Sequence, residues 1–286
     1  MSITPDFKTL IVGTNSFEYF RVGPRDAVPV IFLHGWPEDA TAWTSVIALL
    51  SSEYDCIAIN LPGIGGSSPL EKPNTEKFAQ HFLRFADQLG LGEFHLVGHD
   101  IGGMIAYATA RMTSKVRTVS ILNTVVPGVD PWDRVIANPW LWHFAFHSIP
   151  GLPELLTKDH IAEYFDYFFD GISSDRTAIS SEHRAHYSHV YAQSDALSRS
   201  FDWYRQLWTN AQLNARPRED CEVPLLYIRG ASEFGDIIDY VEGFSRSGMK
   251  LINHAIISDA GHFSPEENPA GVVNALENHF SGVQPS

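Results

Sequence analysis

Three residue types at revealing positions could together do covalent chemistry. The first is Asp100, at the centre of GHDIGG (residues 98 to 103), where an apolar run gives way to helical periodicity. Flanking glycines, Gly98 and Gly102, suit a strand that turns sharply into a helix, bringing backbone against backbone and pushing the apex residue into the open as a nucleophile. Unpaired amides and the positive dipole end of the helix beginning at Ile101 favour a negative charge there. An aspartate before a helix is also an ordinary N-cap, so the remaining residues must decide. His262, in DAGHFSPEENP, follows the last apolar run and precedes the last helical stretch, where a general base would belong. Between them in sequence, Glu233 lies three residues after the run PLLYIRG and could orient that histidine. Asp236 competes for the same task, although it also suits an N-cap before IIDYVEGF. The end of VSILNT is a second station for an acid, but Asn123 stands there and an amide cannot carry the compensating charge. The order nucleophile, acid, histidine is one of those in which such triads occur. In HGWP, Trp36 follows the third apolar run, and its amide, with that of Ile101, is placed to hold a developing oxyanion.

Elements able to position these residues are legible as an alternation. FKTLIVG and NSFEYFRVG read as an opening hairpin, and VPVIFLHG, YDCIAINL, FHLVGHD and VRTVSILNT as strands covered on both faces. Amphipathic stretches between them, such as NTEKFAQHFLRFADQLG, have apolar positions three and four apart. That pattern predicts βαβ units and a mostly parallel twisted sheet flanked by helices. Residues 127 to 215 break the rhythm: aromatic-rich and helical in period, they read as an all-helical cap inserted after the sixth strand. A core of residues 1–126 and 216–286 is the expected remainder.

Of 286 residues, 44% are hydrophobic, enough for one large core or a core with a sizeable insertion. A formal charge of −14, with no basic run to offset it, argues against nucleic acid or anionic lipid as partner. Cys56 and Cys221, the two cysteines, lie far apart in or beside apolar segments and read as core residues of a reducing compartment. Neither a signal peptide nor a membrane span is discernible, which makes cytoplasm the expected location. No cluster at metal-ligand spacing and no dinucleotide fingerprint occurs, so neither metal nor cofactor is expected.

GHDIGG, HGWP, NLPGIGGS and AGHFSPEENP together resemble the α/β-hydrolase fold epoxide hydrolases, relatives of the haloalkane and haloacid dehalogenases, over nearly the whole chain. Asn60 departs from the family's usual aspartate, at a site we read as structural. The resemblance implies that ionised Asp100 displaces a leaving group from a saturated carbon, forming an ester, and that His262, polarised by Glu233, later activates the water that hydrolyses it. It further implies two proton donors on the cap for the opening oxygen. Tyr204, in SFDWYRQLW, matches the second of them, and His143, in the WHF of NPWLWHFAFHSIPG, stands where other members have tyrosine. His147 lies one helical turn on, and Tyr164 and Tyr167 are alternatives to His143.

Dehalogenation is the competing reaction. Haloalkane dehalogenases place a tryptophan directly after the nucleophile, and fluoroacetate dehalogenases an arginine there and another three residues on. These positions are Ile101 and Met104 here. A ligand-binding protein of this fold that has lost turnover is a reading of another class, which the intact Asp100, Glu233 and His262 oppose. The expected partner is a small apolar epoxide. A homodimer is compatible with the sequence, and the aromatics Trp132, Trp140, Trp142, Phe144, Phe168 and Trp208 imply an apolar pocket within a mainly packed cap.

Overall fold

A computed structural model describes residues 3–193 and 195–282. Among these residues eight strands occur: β1 Lys8–Val12, β2 Asn15–Val22, β3 Pro29–Leu33, β4 Asp55–Ile59, β5 Phe94–His99, β6 Val116–Leu122, β7 Leu225–Gly230 and β8 Ile252–Ile257. They form one sheet in the order β1-β2-β4-β3-β5-β6-β7-β8. Strands β1 and β2 pair antiparallel, as β2 does with β4, and every pairing from β4 to β8 is parallel. Both sheet faces are covered, which is why β4, β5 and β7 are buried at every position.

Helices α1 Thr44–Leu50, α2 Thr75–Gln88 and α3 Ile101–Ala110 precede a long helical stretch. That stretch contains α4 Trp132–Ile136, α5 Trp142–Ser148, α6 Leu152–Thr157, α7 Ile161–Ile172, α8 Ser181–Tyr191, α9 Ala196–Arg205 and α10 Leu207–Asn214, all between β6 and β7. The chain returns through α11 Ile237–Arg246, α12 Ser264–Glu267 and α13 Pro269–Ser281. Successive strand residues face opposite ways and feed two separate cores. Phe32, Val97 and Leu122 pack with Val46 and Ile47 of α1 and Leu276 and Phe280 of α13. Their neighbours Ile31, Leu96 and Ile121 join Phe82 of α2, Met104 of α3, Phe244 of α11 and the buried aromatics of the helical stretch. Cys56 and Cys221 are buried and unpaired. Among the described residues no helix is long and apolar enough to cross a membrane.

Polar contacts dock the helical stretch on the strand ends. On α8, His186 Nε2 lies 2.8 Å from Asp39 Oδ2, Tyr187 donates to Glu266 at 2.8 Å, and Tyr191 donates to the Glu38 carbonyl at 2.9 Å. Asn60 ties the loop after β4 to its neighbours, accepting from the Ala40 amide and donating to Glu18. Of the aromatics read as pocket or packed core of the cap, Trp140 and Trp208 instead lie at the surface, 77% and 66% exposed. Trp140 sits in a single 3-10 turn with no buried residue, and α10 turns Leu207, Asn210, Ala211 and Leu213 inward, leaving Trp208 outside.

Burial keeps His34, His81, His95, His143, His147 and His279 below the ordinary imidazole value, to about 3 for His95. Unfolded, the same residues titrate near 6.5. Below that pH the unfolded chain binds protons that the folded one refuses, so stability falls with pH by up to about 1.4 kcal/mol per unit for each such histidine. His99, His183 and His186 are raised, so near pH 6.5 they oppose this slope, and they drop out of it as the unfolded chain also becomes protonated towards pH 5. Denaturant midpoints are therefore expected to drop steeply from about pH 6.5 to about pH 5; a flat profile would refute this.

Candidate active site

Asp100 occupies a backbone conformation that L-residues rarely adopt, φ +47° and ψ −118°, between the last residue of β5 and the first of α3. The strain is enforced by close approach: a Cβ on Gly98 would lie 2.2 Å from the Gly102 carbonyl oxygen, and one on Gly35 would lie 2.6 Å from the Asp100 Cβ. The carboxylate is thereby aimed at the loop after β3, where the Trp36 amide donates to Oδ2 at 3.0 Å. His34 holds that loop in place. The Leu61 amide donates to its Nε2 at 2.9 Å, so the proton resides on Nδ1, which donates to the Gly35 carbonyl at 2.7 Å. Ile101 opens α3, which places its amide among the free N-terminal donors beside Asp100.

His262 lies before α12, with Nδ1 3.4 Å from Glu233 Oε1. Glu233 Oε2 accepts from Asn123 Nδ2 at 2.7 Å, Arg229 Nε at 3.2 Å and the Gly230 amide at 3.3 Å. Burial pushes the Glu233 carboxyl up, but His262, Arg229 and Asn123 outweigh it and hold the group below its usual range. Asp236 instead caps α11, accepting from the Ile238 amide at 2.9 Å. Asn123, with φ +52°, also donates to the Gly261 carbonyl and accepts from Ser264. The amide that cannot serve as an acid thus donates to the carboxylate of Glu233.

His99 carries a second polar layer. Its Nε2 donates to the His262 carbonyl at 2.8 Å, and its Nδ1 meets a carboxylate, Glu38 Oε2, at 2.8 Å. Burial opposes a charge on His99, yet Glu38 and Asp100 raise it to about 9. At neutral pH this cation sits beside Asp100 and fixes the backbone of His262.

The helical stretch supplies the opposite wall. Trp36 is its hub: its ring lies 4.7 Å from that of His147, 4.9 Å from Phe168, 5.9 Å from Tyr204 and 6.2 Å from His143. The indole is pinned by a 3.2 Å hydrogen bond to Ser200 Oγ. His143 and Tyr204 lie 5.9 Å apart, ring to ring. Burial drives His143 down to about 3, so it faces the site neutral, and Tyr204 is raised first by burial and then by the charge of Asp100. His143 Nδ1 is enclosed without a partner. An unpaired lone pair is less unfavourable there than an unpaired N–H, which assigns the proton to Nε2. All the expected site residues, Trp36, Asp100, Ile101, His143, Tyr204, Glu233 and His262, therefore converge on one end of the sheet. Glu38, His99, Asn123, Arg229 and His147 join them, in roles that no sequence motif announces.

Residues 28–269 match the family model described as alpha/beta hydrolase fold. The chain is 24% identical to the soluble epoxide hydrolase of Corynebacterium sp. (strain C12), over 94% of this chain and 96% of that relative. It is 30% identical to the fluoroacetate dehalogenase of a Burkholderia species, over 50% of this chain and 48% of the relative. Among solved structures, wild-type Cfl2 from Burkholderia cenocepacia superposes with a TM-score of 0.87 at 27% identity, covering 96% of this chain and 95% of that one.

Proposed function

The chain belongs to the α/β-hydrolase fold family, and on that premise we propose that it is an epoxide hydrolase, opening small apolar epoxides to vicinal diols through an ester on Asp100. The observation that carries this reading is the strained aspartate, its Oδ2 held by the Trp36 amide, facing a neutral phenol and a neutral imidazole across an aromatic wall. Residues 127–215 act as the cap that brings those donors.

Asp100 Oδ1 attacks an epoxide carbon; the C–Oδ1 bond forms as the ring C–O bond breaks, and Tyr204 passes its proton to the departing oxygen while His143 donates a hydrogen bond to it. Attack consumes the Asp100 charge that raises Tyr204, so the phenol becomes a better acid as the alkoxide forms. His262 then removes a proton from water, and the resulting hydroxide adds to the ester carbonyl carbon. The Trp36 and Ile101 amides hold the oxyanion until the ester C–O bond breaks; protonated His262 gives its proton to the departing diol oxygen, and the proton left on the Asp100 carboxyl returns to Tyr204 as the carboxylate is restored.

Leaving-group chemistry separates this from dehalogenation. Ile101 and Met104 are buried apolar residues that offer a halide or a substrate carboxylate no side-chain donor. A panel of styrene oxide, an aliphatic terminal epoxide, a bromoalkane and fluoroacetate is expected to yield diol from the epoxides and no halide. Halide release, or epoxide binding without diol, would replace this reading. With Tyr204→Phe the ring-opening rate is expected to fall by about 10² to 10⁴, the usual contribution of one general acid; an unchanged single-turnover rate removes Tyr204 from the site.

A further inference from the structure

His147 and Tyr164 are used by no step above, yet they are built into the same wall. His147 is fully buried, its ring 4.4 Å from Phe201 and 4.5 Å from the edge-on ring of Tyr204. Its Nε2 lies 2.6 Å from the Tyr164 hydroxyl, and its Nδ1 is enclosed with no partner. Two proton arrangements fit that contact. If Tyr164 donated, the proton of the neutral ring would lie on Nδ1 as a buried N–H with no acceptor. If Nε2 donates, Nδ1 keeps only an unpaired lone pair, the smaller penalty. The second arrangement leaves the Tyr164 hydroxyl proton unused by His147.

Tyr164 is half-buried between inner and outer aromatics. Trp36 is at 6.1 Å on one side, and Trp142 at 6.5 Å, itself 38% exposed, is on the other. Phe168 closes the gap at 5.3 Å. Tyr204 is 3% exposed and Tyr164 only half-buried, so Tyr164 stands further out than the ring-opening donor, on the side of the exposed Trp142 and Tyr167. A donor in apolar surroundings, outside the ring-opening pair, selects for an acceptor at that point of the ligand.

We propose that Tyr164, oriented by His147, forms a hydrogen-bonding subsite that recognises an acceptor oxygen on the substituent of the substrate, so that the preferred class is epoxides with an ether, hydroxyl or carbonyl oxygen near the ring. This rests on the epoxide-opening reading above. Tyr164 is the contacting residue and His147 its positioning residue.

The test compares butyl glycidyl ether with the terminal epoxide of octene, which differ by one oxygen for one methylene. The ratio of their kcat/KM values is expected to fall about five- to tenfold in Tyr164→Phe and in His147→Phe, the worth of one hydrogen bond. His147→Gln, which keeps an N–H near the Nε2 position, should restore most of it. Ratios in folded Tyr164→Phe and His147→Phe that match the parent within about twofold overturn the proposal. Should those variants not fold, the parent protein decides through tryptophan-fluorescence titration with the two corresponding diols. Comparable affinity for both supports the subsite. An ether diol bound more than about tenfold weaker, as an oxygen left unpaired in apolar surroundings would be, overturns it. If neither epoxide is opened, the activity reading fails while the diol pair still reports on the subsite.

Discussion

With His262 replaced by glutamine, the protein is expected to react once with an epoxide and then stall, its intact mass raised by that of one epoxide and the addition mapping to the peptide containing Asp100. Ester formation draws only on groups the variant keeps: the carboxylate in its strained turn, the Trp36 amide on Oδ2, and the donors Tyr204 and His143. Hydrolysis needs a base to take the water proton, and glutamine is none. Turnover should fall on the order of 10³-fold, within the usual range for one general base. The substitution is structurally mild. Glu233 retains Asn123, Arg229 and the Gly230 amide, and the His99 contact is to the backbone carbonyl of residue 262, which any side chain leaves in place. Unmodified protein after incubation with excess epoxide, in a variant with unchanged circular dichroism, would reverse the division of roles between Asp100 and His262.

How far the site can be read from sequence follows from the range of the interactions that build it. GHDIGG is local: glycines on either side of the apex are demanded by backbone contact within one turn, and the contact is there. His262 and Glu233 are legible because each follows a strand of the alternating pattern, and parallel strands deliver their carboxyl ends to one edge. Glu38 and His99, 61 positions apart, meet only because β3 and β5 are neighbours in the sheet, and nothing in HGWPE or GHD states that adjacency. Asn123 fails as an acid on charge alone; its donor role depends on Glu233 arriving from the next strand with an oxygen to spare. The helical stretch is the least legible part. Its period announces helices, but α5 and α10 are short, and which side of each faces Trp36 is settled by packing against the sheet. Hence His147, an unexplained neighbour by sequence, is wholly enclosed, while Trp208 is not.

Backbone proximity at the elbow carries the largest structural consequence. A Cβ on Gly102 would lie 2.3 Å from the Leu33 carbonyl oxygen and 2.6 Å from that of His34. Neither is the end of a flexible side chain that could swing aside. Relief requires α3 to retreat from β3, which breaks the 3.1 Å bond from the Gly102 amide to His34 and draws Asp100 away from the Trp36 amide. Gly102→Ala is therefore expected to lose more than about 3 kcal/mol in urea denaturation, at the upper end of overpacking costs, and to abolish diol formation. Gly171→Ala is the matched control: it lies within α7, and a Cβ there meets nothing within 4 Å. It removes backbone freedom from the unfolded chain at no steric cost in the folded one, so a gain of about 0.5 to 1 kcal/mol with unaltered turnover is expected. If Gly102→Ala matches the parent within about 1 kcal/mol, the elbow has slack, and the strain at Asp100 must be imposed by the sheet rather than by the contact between α3 and β3.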